Sequence, residues 1–433
     1  MKFFSTLFCL LFLTFSLFAQ KTDEVLATAN GQNYTVKNLS PEAAQEWLNQ
    51  AKTIAEVRSN LLSQLVAEKL FEAEGKVRNV PSKQIRAEAM AKIPAPSTAQ
   101  IQEIYDANQN VFAGKPLDEV KPQIVAYLRR EPEQKALQEL VDSLKTKHKV
   151  SFGKDVNAPD LKPLEVLATV GTKTISAQEF DEEYKLNLYE FRANIFDAVK
   201  DNLEDAIYSD LVVAEAKARN IEASDLIAAE ISDKLKDFSD EERFNLQSAL
   251  MKMLFAKYKV NFLIKEPAPI VQNISVDDDP SKGSATAPVT VVMFSDFQCP
   301  ACSATHPILK KVLAEFPAEK IRFVVRDYPL EFIHNNAFQA ALAANAAFKQ
   351  GKFFEYTEIL YNNQNALDAA SLKKYAANLG LNLPKFEADM NDANIASEVR
   401  KDIEDGDNYG VSSTPTIFIN GIKIRRNTAE SFR

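Results

Sequence analysis

Cys299 and Cys302 form the single C-x-x-C pair of this sequence, with Pro300 and Ala301 between them. The chain has three cysteines, and the third, Cys9, lies close to the N-terminus. A disulfide between such close neighbours closes almost no loop and therefore stabilises a fold very little. The spacing thus indicates chemistry, either thiol–disulfide exchange or metal ligation, in preference to a structural bridge.

The residues around the pair predict how a fold would hold it. The run from Val289 to Phe294 is apolar and rich in β-branched residues, which is typical of a buried strand. A helix is predicted directly after the pair and extends to Phe316. With Cys299 as the N-cap residue, Pro300 takes the first helical position, where its missing N–H group costs nothing.

This position favours a thiolate on Cys299. The backbone N–H groups of Ala301 and Cys302 would point at its sulfur, and the helix dipole adds to their effect. Lowering a thiol pKa from about 8.5 to about 6.5 requires about 2.7 kcal/mol, whereas a helix terminus supplies about 0.3–1 kcal/mol. The N–H contacts must supply the remainder. We expect Cys299 to be the accessible, reactive thiol and Cys302 the buried thiol that resolves the mixed disulfide.

A metal site is the main alternative use of the pair. Cys299, Cys302 and His306 could supply three ligands, but structural zinc usually takes four, and the sequence has three histidines and no second C-x-x-C pair. We therefore expect no metal, and no cofactor beyond the redox-active disulfide itself. His306 follows Cys302 by one helical turn and could tune that thiol, although a packed, hydrogen-bonded histidine is the favoured interpretation.

The rest of the C-terminal region has an α/β pattern. Two further strands are predicted at 321–325 and 416–419, and a long helical stretch at about 336–405 lies between them. The segment 266–284 is rich in Pro, Asp and Ser and has no helical period, which predicts a linker. These features indicate an α/β domain at 285–433 with a helical insertion.

The segment 287–309, which contains the cysteine pair, resembles the active-site strand and helix of the DsbA-like branch of the thioredoxin superfamily. Segments 323–330, 334–361 and 410–421 continue the resemblance in the same order. The resemblance implies a thioredoxin fold in which Cys299 exchanges disulfides and Cys302 resolves them. It also implies a cis peptide bond between Thr414 and Pro415 beside the cysteines, where the backbone of Thr414 could pair with an extended substrate.

Several positions depart from that family or allow two interpretations. Met293 stands where many thioredoxin-fold relatives bury an acid, which puts the usual route of proton transfer in doubt. Asp296 could relay protons or could form a turn at the strand end. Arg326 and Asp327 are interpreted as a structural turn pair. About a turn and a half of helix is expected from Asn427, where relatives have a full helix, so either another domain covers the sheet or the chain is truncated.

The N-terminus has the pattern of an export signal. Lys2 is followed by an apolar run over 3–18, and Ala19 is a small residue before the expected cleavage point. The run is shorter than the ~20 residues that a membrane-spanning helix needs. We predict a cleaved signal peptide at 1–19, which removes Cys9, and a periplasmic location. The formal net charge of −9 makes a nucleic-acid partner unfavourable.

An internal repeat organises residues 22–265. Residues 24–28 recur as 165–169 with the same five letters, and at the same offset the Arg-Asn-Val of 78–80 recurs as the Arg-Asn-Ile of 219–221. Each copy begins with a short strand-like piece and a turn, and long amphipathic helices follow. Two degenerate copies of one helical module are therefore predicted.

These copies resemble the N-terminal chaperone region of SurA-type periplasmic folding factors. The resemblance implies two modules, at 20–158 and 159–265, that hold unfolded clients. Proteins of that type often carry prolyl-isomerase modules, but no segment here is rich enough in strand, Gly and His to form one, so that activity is not expected.

Together these features predict a multidomain chain with a mostly α-helical, SurA-like N-terminal region and a C-terminal α/β thioredoxin fold. The predicted function is an exported thiol–disulfide oxidoreductase that acts on client polypeptides and holds them with its N-terminal arm. The oxidase, reductase and isomerase directions stay open, with Thr414 before the proline favouring the isomerase and reductase relatives.

The expected partners are unfolded or disulfide-containing client proteins and a membrane or soluble redox partner. A homodimer formed through the N-terminal region is a further hypothesis. One alternative function is a periplasmic chaperone or binding protein whose redox pair is incidental or regulatory. A second alternative is a metallochaperone that carries copper or zinc.

Overall fold

The computed structural model describes residues 22–112 and 114–433. The predicted signal peptide at 1–19 lies outside the described residues. The chain divides into two compact units between Pro267 and Ala268, which we call the N-terminal unit and the C-terminal unit. None of the described helices is long and apolar enough to cross a membrane.

The N-terminal unit combines short strands with long helices. Its strands are β1 (Val25–Ala29), β2 (Gln32–Thr35), β3 (Ser151–Phe152), β4 (Val166–Val170), β5 (Lys173–Ser176) and β6 (Asn261–Phe262). Its helices are α1 (Pro41–Arg78), α2 (Ser82–Ala91), α3 (Thr98–Ala107), α4 (Leu117–Lys147), α5 (Ala177–Arg219), α6 (Ala223–Glu230) and α7 (Asp240–Lys257), with single 3₁₀ turns at Val36–Asn38 and Ser232–Lys234.

The same elements occur twice along this unit. A hairpin precedes a long helix in each copy, with β1, β2 and α1 in the first and β4, β5 and α5 in the second. Both long helices end at an asparagine with a left-handed backbone, Asn79 (φ 54°) and Asn220 (φ 56°). Asparagine adopts this conformation more readily than most residues. The recurring Arg-Asn pair of the sequence therefore marks two equivalent helix ends.

The two cores of this unit form across the repeat and not within each copy. One core joins β1, β2 and the start of α1 to the second half of α5, to α6, to α7 and to β6. The other joins the second half of α1 and the end of α4 to β3, β4, β5 and the start of α5. The modules predicted at 20–158 and 159–265 therefore do not have one core each, because each long helix contributes its two ends to different cores.

The C-terminal unit contains a five-stranded sheet with the strand order β11-β10-β8-β9-β7. Its strands are β7 (Ser281–Lys282), β8 (Val289–Ser295), β9 (Ile321–Asp327), β10 (Thr416–Ile419) and β11 (Ile422–Lys423). Its helices are α8 (Pro300–Leu313), α9 (Ala337–Phe348), α10 (Phe353–Asn362), α11 (Ala369–Asn378), α12 (Leu383–Met390) and α13 (Ala393–Asn408). Strands β8 and β9 are parallel, whereas β10 runs antiparallel to β8.

The strands and helices predicted for this unit are present with small changes in their bounds. Strands β8 and β9 extend beyond the predicted runs, to Ser295 and Asp327. Helix α8 ends at Leu313 and not at Phe316. The helical insertion predicted at about 336–405 is a series of five helices, α9–α13. The polar residues at the strand ends were missed because the prediction followed the apolar run.

Most of the predicted linker belongs to the C-terminal unit. Strand β7 pairs antiparallel with β9, and Val271 forms an isolated bridge with Ile422. The prediction of a linker over 266–284 is therefore wrong for residues 268–284. An edge strand is held by backbone pairing, which leaves no apolar pattern in the sequence.

The two faces of the sheet carry different cores. Met293 and Val325 belong to the larger core, which includes residues of α8–α13, whereas Phe294 belongs to a smaller core. Because side chains alternate along a strand, Ser295 and Asp327 continue the rows of Met293 and Val325. Both polar residues therefore lie at the carboxyl ends of the parallel strands, on the face that α8 covers.

The final residues of the chain, 424–433, form turns and no helix. The N–H group of Ser431 donates to the Thr428 hydroxyl, and Phe432 is buried in the larger core. The helix expected from Asn427 is therefore wrong, and the turns pack Ile424, Ala429 and Phe432 against the larger core.

Candidate active site

Cys299 is the N-cap residue of α8 and Pro300 takes its first position, as the sequence predicts. Strand β8 ends at Ser295, and Asp296 begins the turn into the helix. The carbonyl oxygen of Asp296 accepts the N–H group of Cys299 (3.1 Å), and its carboxylate accepts the N–H group of Gln298 (2.7 Å). This turn fixes where the first sulfur leaves the backbone.

Both thiols of the pair are free and buried. Cys302 is 0% exposed and Cys299 is 7% exposed, so the first cysteine is less accessible than expected. The Cys299 thiol donates to the backbone carbonyl of Thr414, with 3.4 Å from Sγ to O. The peptide bond between Thr414 and Pro415 is cis, as the resemblance implies. The fold therefore brings together the four residues predicted to form the centre of the site.

The pKa of Cys299 is lowered from 9.0 to about 5. A hydrogen bond from the Cys302 thiol is the largest cause, and burial opposes it. The buried hydroxyl of Thr414 lowers the pKa further, and it has no other hydrogen-bond partner in the part of the chain that the structure describes.

The backbone N–H groups of Cys302 and Ala301 also lower the pKa of Cys299, but by less than the two side chains do. They do not complete a capping hydrogen bond to the Cys299 sulfur. The prediction that these N–H groups supply most of the stabilisation is therefore wrong, because the hydrogen bonds of the Cys302 thiol and the Thr414 side chain lower the pKa of Cys299 more.

Cys302 has the opposite shift, with a pKa raised well above 9.0, chiefly by burial. The hydrogen bond to Cys299 raises it further, while the Ser295 hydroxyl and the backbone N–H group of Asp296 oppose the rise. One thiol of the pair is therefore an anion at neutral pH and the other keeps its proton. The directions of the two pKa shifts are those that the sequence predicts for Cys299 and Cys302.

The carboxylate of Asp296 holds the active-site turn in place. Its hydrogen bonds are all used for this, which argues against a role in relaying protons. Asp296 is 1% exposed, and its carboxylate accepts hydrogen bonds from the backbone N–H groups of Gln298 and Leu330. It also binds the Nδ1 atom of His334 at 2.7 Å. Of the two interpretations offered by the sequence, the turn former is the one the structure supports. His334 was missed, since nothing in its spacing links it to the pair.

His306 packs and does not hydrogen-bond. Its ring stacks on Tyr361 with 4.8 Å between ring centroids, and burial lowers its pKa. Among residues 22–112 and 114–433 its nitrogens have no hydrogen-bond partner, so the packed part of the prediction is confirmed and the hydrogen-bonded part is wrong.

Two further residues hold the site and were not predicted. The amide of Gln364 donates to the carbonyl oxygens of Phe297 (3.1 Å) and Cys299 (2.8 Å). The hydroxyl of Tyr361 lies 2.6 Å from that of Ser295. Both come from α10 or the loop after it, so their proximity depends on the tertiary fold and no local spacing reveals it.

The interpretation of Arg326 and Asp327 as a turn pair is wrong, since both are buried residues of β9. Arg326 forms ion pairs with Asp279, Asp402 and Asp405. Its Nη2 atom donates to Oδ2 of Asp405 at 2.8 Å. The backbone N–H group of Asp327 donates to Asp402 at 2.9 Å. The pair therefore ties β9 to α13.

A family model described as Thioredoxin matches residues 275–433. With its five-stranded sheet, the C-x-x-C pair at the start of α8 and the cis-proline beside it, the C-terminal region is a thioredoxin-like domain.

The chain is similar over part of its length to part of several sodium/proton antiporters. It is 38% identical over 148 residues to Na(+)/H(+) antiporter NhaA 3 of Salinispora tropica, a match that covers 34% of this chain and 22% of that protein. It is 32% identical over 177 residues to NhaA 1 of Mycolicibacterium gilvum, covering 40% of this chain and 28% of that protein. The chain thus spans about a quarter of the length of these relatives.

Solved structures give similar partial matches. The oxidised BdbD of Bacillus subtilis is 23% identical with a TM-score of 0.34, covering 38% of this chain and 93% of that one. A thioredoxin-like oxidoreductase from Silicibacter pomeroyi is 22% identical with a TM-score of 0.32, covering 34% of this chain and 83% of that one. The catalytic domain of Proteus mirabilis ScsC is 20% identical with a TM-score of 0.30, and the match covers 34% of this chain and 82% of that one.

Proposed function

We propose that this protein is an exported thiol–disulfide oxidoreductase that exchanges disulfides with client polypeptides through Cys299 and Cys302. The observation that carries the proposal is that the two thiols differ in ionisation at neutral pH. Cys299 has a pKa of about 5 and is an anion, whereas Cys302 has a pKa well above 9.0 and is neutral. A thiolate is the nucleophile in disulfide exchange, and a low-pKa thiol is also the better leaving group.

The exchange runs in two steps that are each reversible. The Cys299 thiolate attacks a sulfur of a client disulfide, a bond forms between them, and the other client sulfur leaves with the electron pair. Cys302 then loses its proton and attacks Cys299, which forms the intramolecular disulfide and releases the reduced client. Run backwards, the same steps oxidise a client dithiol and return Cys302 to its thiol form.

The cis-proline loop would hold the client during these steps. The backbone carbonyl oxygen of Thr414 lies 3.4 Å from the Cys299 sulfur. It accepts from Cys299 only while that thiol is protonated, so beside the thiolate or a mixed disulfide the carbonyl is open to a client backbone N–H group. Such strand-like pairing requires no particular client sequence.

The N-terminal unit would serve as a SurA-like arm that holds unfolded clients. Tethering of this kind raises the client's local concentration at the redox site without tight binding there. The proposed location is the periplasm, which the protein would reach by export with residues 1–19 as a signal peptide that is then cleaved. The proposed partners are unfolded or disulfide-containing clients and a membrane or soluble redox protein that resets the pair.

Trapping tests the redox mechanism. In the mature full-length chain, reduced Cys302→Ser should accumulate mixed-disulfide adducts with scrambled, disulfide-containing ribonuclease, because Cys299 displaces one sulfur of a client disulfide and no second thiol resolves the adduct. A reductant should release these adducts. The Cys299→Ser/Cys302→Ser double variant is the control and should form none. If Cys302→Ser forms no adduct although Cys299 reacts with iodoacetamide, the proposed mechanism is wrong.

The alternative of a chaperone with an incidental redox pair makes a different prediction. Under that alternative the double variant would suppress aggregation of a cysteine-free client as wild type does, and both cysteines would be dispensable for maturation of disulfide-containing clients. A metallochaperone would instead retain stoichiometric copper or zinc after purification. Loss of client oxidation or isomerisation in the double variant supports the oxidoreductase.

A further inference from the structure

A cavity of about 240 Å³ lies in the C-terminal unit, between α8, α10 and the edge of the sheet at β7 and β9. Its lining includes exposed side chains such as Lys282 and Phe316, so the cavity opens at the surface of this unit. The described residues that line it include neither cysteine of the redox pair nor the cis-proline loop. The cavity is therefore separate from the redox site.

The body of the cavity is apolar. It is lined by Leu309 and Leu313 of α8, Ile321 and Phe323 of β9, and Phe354 of α10. The rings of Phe323 and Phe354 lie 6.2 Å apart between centroids. An apolar cavity of about 150 Å³ accommodates benzene, and by the same ratio 240 Å³ accommodates about ten non-hydrogen atoms.

The charges in the lining do not balance. Lys310 and Glu358 both line the cavity and form an ion pair with each other. Lys282 lines it as well and has no ion-pair partner among the described residues. Glu355, whose pKa Lys282 helps to lower, does not line the cavity and is paired with Lys352 at 3.0 Å. One positive charge is therefore left for a ligand.

Two hydrogen-bond donors are held in place at this cavity. The ammonium group of Lys282 lies 4.2 Å from the centre of the Phe354 ring, a cation–π contact that fixes its position. His306 is held by its stacking on Tyr361. Burial lowers the pKa of His306, Glu358 opposes this, and the two lysines of the lining lower the pKa further. The imidazole is therefore neutral at neutral pH and offers one N–H group.

These donors and this charge match a carboxylate. An ammonium group and an imidazole N–H group both donate, so the ligand group must accept. A single unbalanced positive charge matches a monoanion, whereas a phosphomonoester carries about two negative charges at neutral pH. The apolar lining beside them requires that the anion be attached to an apolar body.

We propose that this cavity binds a small monocarboxylate with an apolar body, of the size of a medium-chain alkanoate. The carboxylate accepts from Lys282 and His306, and the alkyl chain lies against Leu309, Phe323 and Phe354. This binding site is additional to the redox site and does not rest on the proposed redox function.

Titration calorimetry of the mature full-length protein with octanoate tests the proposal. Octanoate should bind once per chain. The probes 1-octanol, which lacks the carboxylate, and acetate, which lacks the alkyl body, should each bind about tenfold more weakly or worse, since a hydrogen-bonded charge and an apolar body are both needed. The Cys299→Ser/Cys302→Ser double variant should bind octanoate as wild type does.

Two variants separate the charge from the cavity. Lys282→Met keeps the length of the side chain and removes its charge, so octanoate should bind about tenfold more weakly while 1-octanol is unaffected. Lys320→Met is the matched control, because Lys320 is an exposed lysine directly before β9 that does not line the cavity. Ala314→Phe adds a ring from an exposed position of the lining and should abolish binding of both probes.

The imidazole signals locate the ligand independently. The sequence has three histidines, His148, His306 and His334. In a histidine-selective NMR spectrum, octanoate should shift the signals of one imidazole, and His306→Gln should remove them.

The proposal fails if octanoate does not bind at millimolar concentration, or if it binds no more tightly than 1-octanol. Full affinity in Ala314→Phe, or a shift confined to His148 or His334, also overturns it, because the ligand would then lie elsewhere. Equal affinity in wild type and Lys282→Met overturns the recognition of the carboxylate. Loss of redox activity in any experiment on the cysteine pair leaves this site standing.

Discussion

Replacing Cys302 separates its contribution to the lowered pKa of Cys299 from those of the Thr414 side chain and the helix start. The largest cause of the lowered pKa is the hydrogen bond from the Cys302 thiol, ahead of the Thr414 side chain and the backbone N–H groups of α8. Cys302→Ala removes that donor and leaves the helix terminus in place. Cys302→Ser keeps an O–H donor at the same position and is the matched control.

The size of the effect follows from hydrogen-bond energies. A hydrogen bond to a charged group contributes about 1.5–3 kcal/mol, which corresponds to about 1–2 units of pKa. The pKa of Cys299 should therefore rise from about 5 in wild type to about 6–7 in Cys302→Ala. Cys302→Ser should stay closer to the wild-type value, since a hydroxyl donates at least as well as a thiol.

Iodoacetamide alkylation of the full-length protein measures this pKa directly. The midpoint of the rate against pH reports the titration of Cys299, and all variants should reach similar plateau rates in alkaline solution. The ultraviolet absorbance of the thiolate gives an independent midpoint. If Cys302→Ala titrates at the wild-type midpoint, the second thiol is not the source of the shift, and the Thr414 side chain and the helix terminus must supply it.

Three further predictions concern stability and are measured by urea denaturation. A Lys257 hydrogen bond is the main cause that lowers the pKa of Glu215 from 4.5 to about 2, so Glu215→Gln should cost about 3 kcal/mol at neutral pH. Because the shift is downward, this stabilisation is present above about pH 4.5 and is lost toward pH 2, where the two proteins should converge. Arg326→Met should cost about 3–5 kcal/mol, because it leaves buried carboxylates unpaired, and a neutral result would contradict the pairing. Gly406→Ala should cost about 1–3 kcal/mol, since a Cβ would meet the Tyr328 ring at 2.8 Å; full wild-type stability would show that this ring moves aside.

The cysteine pair and its turn could be predicted because they are local in sequence, whereas Thr414 and Pro415, far along the chain, were predicted only through the family resemblance. An apolar run, a C-x-x-C pair and a proline at the first helical position fix a strand, a turn and a helix start. The direction of the charge difference was predicted from one sulfur lying at the helix start and the other inside the core, but its largest cause at Cys299, the hydrogen bond from the Cys302 thiol, was not. The amide of Gln364 could not be predicted, because α10 meets the turn only through the packing of the whole domain.

The N-terminal unit shows the limit of repeat detection. The sequence reveals two copies, and both copies end their long helix at equivalent asparagines. It does not reveal that β6, from the end of the second copy, pairs with β1, or that β3, from the end of the first, pairs with β4. Strands this short carry almost no pattern of their own, so tertiary contacts decide which sheet each one joins.

The lowered pKa of Cys299 also has a consequence for the direction of exchange. In neutral solution a thiol with a pKa of about 5 in place of 9.0 stabilises the reduced state by about 2–3 kcal/mol, which makes the disulfide more oxidising by about 60 mV. This thermodynamic argument favours the oxidase direction over the reductase and isomerase directions that Thr414 favours by resemblance.

The pH dependence of the reduction potential tests that argument. Above pH 5 reduction adds two electrons but only one proton, on Cys302, so the potential should fall by about 30 mV per pH unit. Below pH 5 both sulfurs take up protons and the slope should approach about 60 mV per pH unit. The change of slope should therefore lie near the Cys299 pKa of about 5. A constant slope of about 60 mV per pH unit up to alkaline pH would mean that both cysteines titrate as ordinary thiols, and the fold would then give the pair no preference for oxidising its clients.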